Sequence, residues 1–302
     1  MLNQPPLAAQ IQDAVAFAVT IWILFGFELF RRVAPDSTVF GPGTGGAYRQ
    51  YRQFQLGGIR WVWQNPFSLG RGMFETSESR PLSTEDPNGS FDLRAAEQKL
   101  AAFRRTTTKL GIVVRALALF LTLGVPLAIL ALGTTYGIIV SATISLGTAG
   151  WVAVQYWSLS AHYGRRQGSD RIVGSVSIGI YPISALLAVE ELSINLLEES
   201  HPVVAAKAVG MTDLEAFIEK HWRAAAFPSL AESERRPDDN HQQLRLEQFA
   251  ERIKLHWTDW RKPPQRTDTK IRAYCPRCRT MYVVQEGQCL DCQNVALIRF
   301  KD

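Results

Sequence analysis

Hydrophobic residues concentrate between Leu110 and Trp157. There the chain reads LGIVVRALALFLTLGVPLAILALG, then TTYG, then IIVSATISLGTAGWVAVQYW. A helix needs about 20 apolar residues to cross a bilayer core. Two such runs, with small residues between them and Arg115 as their one charge, predict a membrane hairpin over 110–162. Ala14 to Phe30 is a third apolar run, ended by Arg31 and Arg32, and makes residues 1–32 a first transmembrane helix. Pro126 inside the second span predicts a kink, because it removes a backbone donor. In the third span Ser141, Thr143, Ser145, Gly147, Thr148, Ala149 and Gly150 predict a close-packing face.

Ile172 to Val189 is apolar enough to nominate a span, but Ser175, Ser177, Gly179, Pro182 and Ser184 interrupt it and Glu190 and Glu191 follow. We read 163–190 as an interfacial or re-entrant segment, with a fourth span as the alternative. Between the first two spans, 33–109 reads as a loop rich in glycine, arginine and aromatics, then an amphipathic helix. Trp61, Trp63 and Phe67 are expected at headgroup depth. Gly41 to Gly46 lacks the Gly-Lys-Ser/Thr ending of a phosphate-binding loop and reads as a turn. Ser77 to Ser90 and Pro228 to Asn240 read as polar loops. Residues 191–261 read as a soluble helical region, with Thr212 and Glu215 as a capping box and Leu244, Phe249, Ile253 and Trp257 as an apolar stripe. Residues 262–269 read as a linker.

Charge sets the orientation. The 302 residues carry a formal net charge of +5. No Lys or Arg precedes the first span and two directly follow it, which places the N-terminus outside and the C-terminal region in the cytoplasm. Residues 1–13 lack the positive start of a secretory signal, so no cleavage is expected. The basic excess is accounted for by membrane lipid, and nucleic acid is not required to explain it.

The four cysteines all lie near the C-terminus, in YCPRCRTMYVVQEGQCLDCQNVALIRFKD. Cys275 and Cys278 form one Cys-x-x-Cys pair, and Cys289 and Cys292 another. Two such knuckles can aim four thiolates at one ion and close a tetrahedral structural zinc site. Met281 to Val284 and Val295 to Phe300 read as strands. The motif resembles a zinc ribbon over residues 270–302, which implies one structural Zn2+. Iron accepts the same ligand set and is the alternative. A disulfide pair would need an oxidising compartment, against the orientation above. Lys270, Arg272, Arg277, Arg279, Arg299 and Lys301, with Tyr274 and Tyr282, offer a possible nucleic-acid face.

The five histidines are dispersed, and no hydrolase, metalloprotease or nucleotide-binding pattern is present. Glu28 and Arg115 are expected at similar membrane depth and predicted to pair or share a partner, with snorkelling to the headgroups as the alternative. The expected fold is mainly α: a polytopic helical membrane domain, cytoplasmic helices and a small C-terminal β zinc ribbon. The expected function is that of a non-catalytic scaffold or assembly subunit, docking other protein subunits of a membrane complex. A membrane enzyme or transporter using the polar third span and 172–189, and a membrane-tethered nucleic-acid binder, are the alternatives.

Overall fold

The computed structural model describes residues 6–43, 45–80, 82, 93–163, 169–228, 239–292 and 294–300. It is mainly helical (58%). The chain divides into two compact units, Met1–Ser79 with Arg94–Thr212, and Arg80–Leu93 with Asp213–Asp302.

Among the described residues, three helices of the first unit are long and apolar enough to cross a membrane: α1 (Leu7–Glu28), α2 (Leu93–Leu132) and α3 (Thr134–Tyr163). The expected amphipathic helix and second span are one continuous element. Its 40 residues rise about 60 Å, roughly twice a bilayer core. The buried face of α2 runs through Leu100, Phe103, Leu110, Val114, Leu117 and Leu121 at helical spacing. Pro126 is accommodated by one π turn, Phe120–Gly124, just before it.

A single glycine reverses the chain between α2 and α3. Gly133 has φ 81°, which a residue with a side chain rarely adopts. At Gly137 a Cβ would lie 2.6 Å from Ile129 Cα, so only glycine permits this approach. The packing face of α3 is Gly137, Ser141, Ser145, Ala149, Val152 and Tyr156. A Cβ added at Gly147 or Gly150 would meet nothing within 4 Å beyond its own helix, and Thr143 is exposed. The expected small-residue face is therefore one narrow stripe, with steps of three or four residues.

Contacts fix which helix ends lie together. At the hairpin tip the Thr134 hydroxyl donates to Asp13 at 2.8 Å. At the other end the Thr106 hydroxyl donates to the Tyr163 hydroxyl at 3.3 Å, and the Phe103 and Tyr163 rings meet edge to face at 5.2 Å.

After α3 the chain makes a U. α4 (Ser169–Ile180) begins beside the end of α3, where Arg171 Nε donates to Ser160 Oγ at 2.7 Å. It stops at extended Tyr181, before Pro182. Two short helices, α5 (Pro182–Ala185) and α6 (Ala188–Ser193), lead back, and the Tyr156 hydroxyl donates to Glu191 Oε2 at 3.3 Å. Both ends of the U thus meet the same turns of α3. The 12 residues of α4 rise about 18 Å, too little to cross a core of about 30 Å.

Residues 33–77, expected as loop, and Phe30 to Arg32, expected as the end of the first span, form two small antiparallel sheets. Strands β1 (Phe30–Val33), β4 (Gln53–Leu56) and β5 (Ile59–Trp63) form one, in the order β1-β5-β4. Strands β2 (Ser37–Pro42), β3 (Tyr48–Gln50) and β6 (Phe74–Ser77) form the other, in the order β3-β2-β6. Leu56 pairs with Ile59 across Gly57 and Gly58, both at positive φ, a two-residue turn that suits strand twist. Val33, Val39, Val62 and Met73 make a shared core. Trp61 and Trp63 therefore lie on β5, and the Phe67 side chain lies outside the described residues. α7 (Pro202–Val209) follows and ends in left-handed Gly210.

The second unit holds α8 (Leu214–Ala226), α9 (Asp239–Arg252) and a 3-10 turn at Trp257–Arg261. The Thr212 capping box does not form. The Thr212 N–H and hydroxyl both reach the Tyr48 carbonyl, at 3.1 and 3.3 Å. The buried stripe of α9 is Leu246, Phe249 and Ala250, whereas Leu244 is exposed. Most of the polar loops Ser77–Ser90 and Pro228–Asn240 lies outside the described residues.

Candidate metal centre

Five short strands carry the cysteines. β7 (Ala273–Tyr274) leads into the first knuckle and pairs with β8 (Met281–Tyr282). β9 (Gln288–Cys289) leads into the second and pairs with β10 (Val295–Ala296). β11 (Ile298–Arg299) returns to the free edge of β7. The expected strand Val295 to Phe300 is thus split at Leu297, which donates its N–H to Gly287 O at 3.0 Å.

Each knuckle closes on its own backbone. Arg279 N–H donates to Cys275 O at 2.9 Å, and Asn294 N–H to Cys289 O at 3.2 Å. Both donors sit at positive φ, 62° and 70°. This tight return turns both thiols of a knuckle the same way.

The four sulfurs lie within 4.8 Å of one another. Ligands about 2.3 Å from a central ion stand about 3.8 Å apart in a tetrahedron, and Cys278 Sγ and Cys289 Sγ are 3.6 Å apart. All four cysteines are free thiols, and that separation is far beyond the roughly 2.05 Å of a disulfide. The donor set and its size therefore fit one metal ion. Cys275 and Cys289 are buried, Cys278 is exposed and Cys292 half-buried, so the centre sits at the surface of its module.

The thiols differ in acidity. Burial pushes Cys275 up to about 11. Burial also opposes ionisation of Cys289, but hydrogen bonds from Tyr282 and Cys278 outweigh it and hold that thiol at about 7. The Tyr282 hydroxyl donates to Cys289 Sγ at 3.2 Å, an outer contact of the type that tunes metal ligands. A metal would remove the competition among four neighbouring thiols by replacing their protons.

The first knuckle is also pinned to the helices. Arg223, 5% exposed, donates from Nη1 to Pro276 O at 2.8 Å and from Nη2 to Trp260 O at 2.5 Å. Its Nε donates to Glu219 Oε1 at 2.9 Å, and Arg279 reaches the same oxygen at 3.5 Å. The strands and helices of 213–302 are therefore one body, although 262–269 is irregular as a linker would be. No spacing in the sequence marks Arg223; its position on the α8 face shared with Glu219, four residues earlier, was the available signal.

The other expected site residues are not brought together. Among the described residues no ion pair joins Glu28 to Arg115. Arg115 Nε donates to Gly111 O at 3.0 Å. The acidic partner near the end of α1 is instead Glu191, 3.7 Å from Arg31.

Comparison with protein-family models, with curated proteins and with solved structures returned no match.

Proposed function

We propose that this chain is an integral membrane protein whose second unit is a zinc-stabilised docking module for other subunits of a membrane complex. The observation that carries the docking role is the surface of the metal module. Val283, Val284 and Leu290 are exposed beside the knuckles at 68%, 51% and 86%, while Arg223 holds the first knuckle on a helical base. A small module gains little from apolar side chains in water, and their burial is available to a partner. Zinc is favoured over iron because four thiolates in a closed tetrahedron make a structural site without further chemistry.

The membrane reading rests on exposed apolar residues all along the three long helices, among them Val15, Ile23, Leu119, Leu127, Ile139 and Val154. Such a belt is costly in water and natural in lipid. Arg104, Arg105 and Lys109 belong to the end of α2 that meets Tyr163, away from the Gly133 tip. By the positive-inside rule that end is cytoplasmic. The U from Ser169 to Ser193 then enters and leaves from the cytoplasmic side as a re-entrant segment.

The test is affinity purification from native membranes in mild detergent. Val284→Asp with Leu290→Asp should retain metal and insertion but lose stoichiometric protein partners. Unchanged partners in unchanged amounts would end the docking proposal. A second reading, nucleic-acid binding, is favoured by one feature: Arg266, Arg272, Arg299 and Phe300 line a small cavity of about 90 Å3. Nuclease-sensitive retention in the same purification would select it.

A further inference from the structure

The first unit contains a basic cavity that the docking role does not use. Along α2, Arg104, Thr107, Thr108, Gly111 and Arg115 share one face by their spacing. The Leu69–Met73 loop crosses that face at Gly111. A Cβ on Gly70 would stand 2.6 Å from the Gly111 carbonyl oxygen, so the two backbones touch.

The loop is held from three sides. Gly70 N–H donates to Glu190 Oε1 at 2.8 Å. Met73 N–H donates to Ser193 Oγ at 2.8 Å. The Tyr48 hydroxyl donates to Arg71 O at 2.6 Å. So fixed, the loop lays the Arg71 guanidinium against Gly46, where a Cβ would collide with it.

Arg71, Arg104 and Arg115 thereby surround a cavity of about 400 Å3, with Gly46, Tyr48 and Thr108 also on its wall. Among the described residues no carboxylate lines it. Among the described residues none of these three arginines forms an ion pair. Arg104 makes one long bond, to Val209 O at 3.4 Å, and lies 5.3 Å from the Tyr48 ring centre. Arg115 uses Nε on Gly111 O. Each guanidinium keeps donors for a ligand. Three like charges around one concavity are stabilised by an anion, and guanidinium forks match the oxygens of a phosphate group.

Depth narrows the ligand. Arg115 precedes Leu132 by about 26 Å of helix, against a core of about 30 Å. If α2 spans as proposed, the cavity opens at headgroup depth. Its volume is near the lower end of ordinary ligand pockets, about 300 to 1,000 Å3, enough for a phosphate with a glycerol-sized substituent. We propose that this cavity binds a phosphate-bearing anion, supplied by an anionic lipid headgroup or by a small soluble phosphate.

The experiment uses the full-length protein in detergent micelles. Native mass spectrometry measures retention of dioleoyl-phosphatidylglycerol against dioleoyl-phosphatidylcholine. Thermal-shift titration measures binding of sn-glycerol 3-phosphate and inorganic phosphate. Arg71→Gln and Arg104→Gln should each weaken anion binding at least tenfold. Arg105→Gln removes the same charge from outside the cavity wall and should leave binding unchanged. Thr108→Glu alters an exposed residue whose hydroxyl donates to Arg104 O in its own helix, and should abolish binding while the helical circular-dichroism melt is retained. Preference for phosphatidylglycerol with no soluble binding identifies the lipid source, and soluble binding identifies the other. Binding of neither class, or an equal loss in Arg105→Gln, would overturn the proposal. Failure of the membrane reading would instead show as protein that stays monodisperse when detergent is removed, separate from either anion readout.

Discussion

Replacing Glu190 by glutamine should flatten the pH dependence of stability between pH 5 and 7. Glu190 is 1% exposed. Its Oε1 accepts the Gly70 N–H, and its Oε2 is buried with no hydrogen-bond partner. Burial raises its carboxyl from the usual 4.5 to about 7, against the opposing pull of its backbone hydrogen bonds and of Arg31. The folded state therefore keeps a proton that the unfolded chain has released. Stability from this source is full below about pH 4.5, falls as pH rises, and is lost above about 7. At about 1.4 kcal/mol per pH unit of separation, the loss is about 3 kcal/mol. For a domain of this size that is a fall in melting temperature of about 6 to 12 °C. Tryptophan-fluorescence melts of the full chain in detergent, from pH 5 to 8, measure it. Glutamine keeps the acceptor for Gly70 but cannot ionise, so the variant should lack this part of the slope. The difference between the two slopes is diagnostic, because every other titratable group is common to both proteins. Parallel slopes would mean that Arg31 keeps Glu190 ionised throughout, and would refute the reasoning.

Two further substitutions test packing. Arg223→Ala leaves the Pro276 and Trp260 carbonyls without their buried donor; it should cost about 3 kcal/mol or more and speed release of metal to a chromogenic chelator. Gly137→Leu places a side chain on the Ile129 backbone; it should prevent closure of the α2–α3 hairpin, read as loss of monodisperse protein on size exclusion in detergent, while Gly147→Leu, with open space at its Cα, should not.

The long helices were legible because length and apolar content suffice to nominate them. The turn at Gly133 was legible as a cluster of small residues, and the cysteine cluster from its spacing. The sheets of residues 30–77 were not. β2, STVFGP, is buried along its whole length although it contains Ser, Thr, Gly and Pro; contact with neighbouring strands, not its own propensity, makes it a strand. The readable signal is Leu56-Gly57-Gly58-Ile59, a two-residue hairpin turn that glycine content alone assigns to loop. Thr212 has a capping pattern, but the Tyr48 carbonyl claims it. Helical rise places Glu28 and Arg115 at similar depth and says nothing of their direction around the helix axis. Arg115 lies along its own helix with Nε on the Gly111 carbonyl, and Arg31 rather than Glu28 carries the ion pair to Glu191.

We propose that a structural metal centre organises the second unit. Its most direct test is elemental analysis of full-length protein purified under reducing conditions, with Cys278→Ser alongside. We expect one zinc ion per chain in the wild type, a large loss in the variant, and no visible absorption from iron–thiolate charge transfer. Stoichiometric iron, or metal-free protein with an unchanged melt after chelation, would contradict it.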